Sequence, residues 1–326
     1  MDQQPRYFTR LTAGRAVGQS FSLVFRNFAV VSAIALLLLA FPALLAALIP
    51  EWMMRDTAPS LGMLSEQWLE RLPGGDWSLG EAEAFLADTM GPLLKAAGIQ
   101  VLLSALIGIL ATPVANGALL IVYSRAAIEK KTDFGLALRF AFQRFGQLIG
   151  LALCWVLVDL VVALGLIAVM FFAIVLVTLL AMAGGFGLLI AVPLMLALAG
   201  AAVIGGVALI AARAMSFAAA MNEGIWGFAA VKRGFSLLKQ RFWGCVGANM
   251  LISLCVTGVA IIPNIAVSVG TLLSGSTLPA TLVSALVTAV LTALQLALAS
   301  RFYFAIRAER EGWQPMLVEE GGHEPV

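Results

Sequence analysis

Of the chain's 326 residues, 61% are hydrophobic and 12% charged, with 20 Lys and Arg against 18 Asp and Glu for a net charge of +2. An average soluble domain carries about 25% charged residues, so this chain has too little polar surface to cover a globule in water, and a water-soluble fold is excluded. The near balance of charge gives no reason to expect nucleic acid as a partner.

Met1 to Asn27 carries Arg6, Arg10, Arg15 and Arg26 without a short apolar core and small-residue cleavage site, so the first span is expected to serve as both address and anchor. Val17, Phe21, Val24, Phe25 and Phe28 recur at three- and four-residue steps, which predicts an amphipathic helix. Such a helix can lie in the headgroup layer with its cations near anionic phosphates, or form an elbow packed beneath the bundle.

The first span is predicted over Phe28–Ile49. The segment 51–94 that follows carries eight acids against Arg55 and Arg71, with Lys95 at its border. Leu61, Leu64, Trp68 and Leu72 make a helical stripe there, 73–76 is a turn, and Ser78 with Glu81 has capping-box spacing. A helical hairpin covering the outer surface is expected, in preference to a ligand-binding cap.

The second span is predicted over Leu93–Tyr123, followed by Arg125, Lys130, Lys131, Arg139 and Arg144. From Gly146 to Ala212 the chain runs 67 residues with one charged side chain, Asp159. This run is read as two long helices, Gly146–Ala183 and Phe186–Ala212, because three would put the basic segment from Arg213 to Arg241 on the acidic side. The fifth and sixth spans are expected over Trp243–Leu273 and Leu278–Ile306, with a polar tail at 313–326.

Of the 20 basic residues, 17 fall before the first span, between the second and third, between the fourth and fifth, or at the end of the sixth. The positive-inside rule then places both termini in the cytoplasm. The expected fold is all-α: one polytopic domain, 1–312, in the cell membrane (an inner membrane where there are two), with six transmembrane helices and cytoplasmic amphipathic helices.

An internal repeat organises the chain. Ala16-Val17, Phe21-Ser22-Leu23 and Phe28 reappear at identical spacing as Ala230-Val231, Phe235-Ser236-Leu237 and Phe242, and Ala137 to Phe145 is a weaker third copy. The predicted unit is an amphipathic helix followed by a helical hairpin, three times over.

Few residues could carry chemistry. Asp159 is the ionisable group well inside a span, about 20 Å along its helix, and such a residue reads as functional by default. Asn116, Asn249 and Gln295 in three other spans, and Arg301 from the sixth, are the neighbours expected for it. A buried hydrogen bond fixing helix register is the plainer reading of the same residue. Ala202 and Gly206, four apart, let backbones meet, and Pro42, Pro113, Pro193 and Pro263 are expected to kink their spans. Cys154, Cys245 and Cys255 lie in apolar segments without metal-type spacing, the one histidine, His323, lies in the tail, and there is no phosphate-cradling glycine loop. No cofactor, metal or enzymatic activity is expected.

Glu223-Gly224, Arg233 and Arg241-Phe242-Trp243, followed by Tyr303, Arg307, Glu311 and Gly312 at the end of the last span, resemble the membrane-domain family of glycerophosphoryl diester phosphodiesterases. The likeness covers mainly the last hundred residues. That family has serine where this chain has Gly234, and aspartate where it has Ala305. The resemblance implies a membrane module, found fused to a phosphodiesterase domain or alone; the catalytic barrel and its carboxylate pattern have no place in this chain. The plainer reading of Glu223 and Arg233 is a salt bridge that sets the elbow. Two functions are therefore expected: a non-catalytic module meeting lipid, anionic lipid included, or a protein partner through Lys232, Arg233, Lys239 and Arg241; or a transporter of a small solute or lipid using Asp159.

Overall fold

The structure is a computed structural model that describes residues 12–54, 91–127, 130–182, 185–274 and 278–311. The outer-segment stripe, turn and capping box, the polar tail and His323 lie outside the described residues. Every regular element among the described residues is helical: α1 (Ala13–Arg26), α2 (Phe28–Ala35), a π-helical turn (Leu36–Ala40), α3 (Phe41–Met54), α4 (Gly91–Ala127), α5 (Phe134–Gln143), α6 (Phe145–Met182), α7 (Gly185–Glu223), α8 (Phe228–Gln240), α9 (Phe242–Ser274) and α10 (Leu278–Glu311).

Six stretches are long and apolar enough to cross a membrane: Phe28–Ile49, Ala97–Ala127, Phe145–Thr178, Val192–Glu223, Phe242–Ser268 and Pro279–Glu309. The protein is a polytopic helix bundle of the membrane. Three of the prolines, Pro113, Pro193 and Pro263, are accommodated inside continuous helices. The π-helical turn ends two residues before Pro42, where the ring would otherwise crowd the carbonyl one turn back.

The boundary expected for the fourth span needs correction. Arg213 lies inside α7, which continues to Glu223, and is not part of a loop. Ala214 to Ala220, apolar except for Ser216, is a buried run that carries the helix past the charge. Gly224, with φ of +69°, ends it, because that left-handed conformation cannot propagate a right-handed helix. Gly227, at φ +64°, precedes α8.

The repeat is visible in the backbone. Asn27, Arg144 and Arg241 each separate a short helix from a long one. Each donates its N–H three residues back, to Val24, Ala141 and Leu238 O at 3.2, 3.2 and 3.1 Å. The carbonyl of each then accepts the first bond of the next helix, from Val31, Leu148 and Cys245 N at 2.9, 2.9 and 3.0 Å. Seven residues before each elbow stands a small buried residue, Ser20, Ala137 and Gly234. Ala16, Val17 and Leu23 are buried on α1 as Ala230, Val231 and Leu237 are on α8. Small residues let the short helices lie close against their neighbours, and the stripe expected along α1 divides: Val17 is buried, whereas Phe25 and Phe28, the latter at the start of α2, are exposed, with Phe25 stacked between Phe21 and Phe28.

The described residues group into two compact units. One comprises the chain up to Ala35, Pro113–Val259 and the part from Val290 on; the other comprises Leu36–Thr112 and Ala260–Ala289. The first contains the largest fully buried side chains, among them Tyr123, Trp155, Phe217, Leu237, Phe302 and Tyr303. Tyr123 is held there by the bond its hydroxyl donates to Ala293 O at 3.0 Å. All candidate site residues belong to this unit.

Candidate functional site: a ring of side chains and an intrahairpin ion pair

Glu223 is the last residue of α7, and four further side chains close a ring with it. The Tyr303 hydroxyl donates to Glu223 Oε1 at 3.0 Å, and Arg307 Nη1 donates to the Tyr303 hydroxyl at 3.0 Å. Arg307 Nε donates to Glu311 Oε2 at 2.8 Å. Arg233 completes the circuit, with Nη2 on Glu311 and Nε on Glu223 Oε1 and Oε2 at 3.2 and 3.1 Å. The ring joins the end of α7, the middle of α8 and the last turns of α10. A helix end, whose carbonyls have no partners within the helix, is thereby fixed from both sides.

Two cations and two carboxylates make the ring neutral. Burial opposes the charge on Glu311, but the hydrogen bonds from Arg233 and Arg307 outweigh it and hold the carboxyl below the usual range. Burial likewise opposes the Arg233 cation, and Glu311 and Glu223 more than compensate. Beside the ring, Arg241 is paired with Glu309, and Arg144 donates to Met221 O at 3.1 Å while lying over the Trp226 ring. Both carboxylates of the ring are engaged by cations. Among the described residues no group of three His, Cys, Asp or Glu could hold a metal ion.

Of the residues singled out by sequence, Glu223, Arg233, Tyr303 and Arg307 come together in this ring. Gly224 supplies the turn that follows Glu223, and Trp243 stands apart, exposed and edge-on to Phe242. The four basic residues expected to form one surface divide into two pairs. Arg233 and Arg241 are committed to carboxylates, and Lys232 and Lys239 are exposed.

Among the described residues, Asn116, Asn249 and Gln295 make no hydrogen bond to Asp159. The Asp159 carboxylate is held by Arg213 Nη2, and the guanidinium lies over the buried Trp155 ring, 5.2 Å from its centroid. Asn249 donates to Cys245 O of its own helix at 3.0 Å. Asn116 is buried, with its Oδ1 lacking a donor among the described residues, and Gln295 is half-buried. Arg213 escaped the sequence reading because a span ended at its first charge. The signal that could have found it was the apolar run to Ala220, uninterrupted by a helix breaker before Gly224.

Neither family models, nor curated proteins, nor solved structures gave a match to this chain.

Proposed function

We propose that the protein is a non-catalytic membrane module whose elbow helices engage anionic lipid at the cytoplasmic face of the cell membrane. The observation that carries this reading is the outward display of aromatic residues at all three elbows. Phe25 and Phe28 are 66% and 59% exposed, Phe142 54% and Trp243 72%. In water such a display would be costly; in the headgroup layer it sinks into acyl chains while neighbouring cations meet phosphates. Arg15, Arg26, Arg139, Lys232 and Lys239 are the exposed cations on the same three short helices. The concentration of basic residues on this side supports a cytoplasmic position for the elbows and both termini.

The transport alternative rests on Asp159. Arg213 holds that carboxylate, which favours the module. Of the residues that carry the resemblance to the glycerophosphodiesterase membrane domain, Glu223, Arg233, Arg241, Tyr303, Arg307 and Glu311 are engaged in side-chain bonds and ion pairs that tie helices together, which fits a module without catalysis of its own.

The test is lipid selectivity in bilayers. Spin-labelled phosphatidylglycerol should be preferred over phosphatidylcholine by the purified protein, and the preference should fall when Arg15, Arg139, Lys232 and Lys239 are all changed to Gln. Equal association of both lipids with the unaltered protein would remove this reading.

A further inference from the structure

We infer that the α6–α7 hairpin is a self-association surface, on which two copies of the chain meet with their Asp159–Arg213 pairs facing across a twofold axis. This goes beyond the lipid reading and does not depend on it.

The first step is depth. The second elbow displays Phe142 and Phe145 outward, which places the start of α6 at the apolar boundary. Asp159 lies 14 residues further along α6, about 21 Å at 1.5 Å per residue. Arg213 lies ten residues before the end of α7, about 15 Å by the same measure. Beyond the pair, 160–182 and 185–212 contain no charge. The ion pair is therefore at acyl-chain depth.

The second step is exposure. In a membrane the outer surface of these helices faces hydrocarbon, yet the Arg213 and Asp159 side chains are 41% and 44% open. Of the guanidinium's five donors, those on Nη2 bind the carboxylate, and those on Nη1 meet no acceptor among the described residues. Polar groups at this depth with unused hydrogen-bonding capacity are stabilised by any polar surface that covers them.

The third step is which surface. A lipid phosphate would have to descend about 20 Å along the helix and would meet the Asp159 carboxylate together with the cation. A second copy has no such conflict. A donor and an acceptor side by side are self-complementary under a twofold axis, Arg213 of each chain reaching Asp159 of the other. The surroundings fit close approach of helices. Ala202 and Gly206 lie on the same stripe of α7 as Arg213, four and seven residues apart in turn, and both are exposed. A Cβ placed on Gly200, Gly205 or Gly206 would meet nothing within 4 Å. Ala202 and Gly206, whose spacing lets backbones meet, are thus open. Only 6% of the most apolar stretch is buried in each of the third and fourth spans, against 50% in the second and 39% in the sixth.

The experiment counts photobleaching steps of the full chain, tagged at its C-terminus with one fluorophore, in liposomes over a range of protein-to-lipid ratios. The unaltered protein should give two steps at high ratio and one on dilution. Gly206→Leu, and separately the paired change Asp159→Leu with Arg213→Leu, should each raise the dissociation constant at least tenfold. The swap Asp159→Arg with Arg213→Asp should keep the dimer, because it keeps both the pairing and its self-complementarity. Circular dichroism and elution profile check that each variant is folded. A single step at every ratio would overturn the inference. So would a dimer indifferent to both the Gly206 and the paired leucine changes, which would put the interface elsewhere.

Discussion

Gly234 of α8 lies directly against Ser216 of α7. A Cβ at position 234 would collide with Ser216 Oγ and would stand 2.5 Å from Ala212 O and 2.9 Å from Ser216 N. Ser216 occupies the space itself, donating to Ala212 O at 2.8 Å. The glycine that departs from the serine of the resembling family is thus the residue that sets how closely α8 approaches α7, and with it the reach of Arg233 to Glu223.

Gly234→Ala is expected to destabilise by about 1–3 kcal/mol through overpacking. Two of the three clashes are with backbone, so adding Ser216→Gly should restore little of the loss. Thermal unfolding in detergent checks both points, and an unchanged Gly234→Ala variant would refute the close contact.

Removing one partner of the Asp159–Arg213 pair leaves a lone charge at bilayer depth. Asp159→Leu should cost about 2.5–3.5 kcal/mol, the penalty of an isolated cation there. Changing both residues to Leu should recover most of it, because replacing an ion pair with apolar groups is often neutral. A double-mutant cycle on stability in bicelles reads the coupling, and additive losses would show that the two side chains act independently.

Tyr303→Phe deletes one bond to Glu223 and one from Arg307 without changing shape. Hydrogen bonds to charged groups contribute about 1.5–3 kcal/mol, and the loss should fall in that range. Arg233→Lys should resemble it, since a single ammonium cannot reproduce the fork that spans Glu223 and Glu311. Faster proteolysis near Gly224 in both variants is the expected readout.

The ring also makes a pH prediction. Glu311 has a folded pKa below its unfolded value, so its contribution is present above the unfolded value and is lost as pH falls through the folded one. With an ordinary Glu pKa of about 4.3, stability should be level from neutrality to about pH 5 and fall below it. Arg233 is shifted upward from an already high value, and its contribution is lost only in strong alkali. Glu311→Gln should be less stable at neutral pH and show a shallower decline in acid.

Much of this protein was legible in the sequence because lipid imposes a simple condition. Every backbone group in the hydrocarbon must bond within its own segment, so apolar length alone yields helices, and all six spans lie close to where the hydropathy places them. The threefold spacing of Phe28, Phe145 and Phe242 likewise foretold three elbows, since the small buried residue eight positions before each, Ser20, Ala137 and Gly234, serves the same local packing. What hydropathy could not give was the partner of a charge. It ended a span at Arg213 and looked for Asp159's neighbours among Asn116, Asn249 and Gln295, because a one-dimensional reading treats charge as an exit from the membrane. Pairing and burial depend on which helix faces lie together, and on contacts such as Gly234 against Ser216 that bring residues 10 to 80 positions apart into one ring. Composition and periodicity determined the membrane class, the span count and the repeat, and the family-like spacing pointed to the Glu223–Arg233 pair; the tertiary structure decided the other pairings, Asp159 with Arg213 and Arg233 with Glu311 among them, because neutralisation is a property of distance in space.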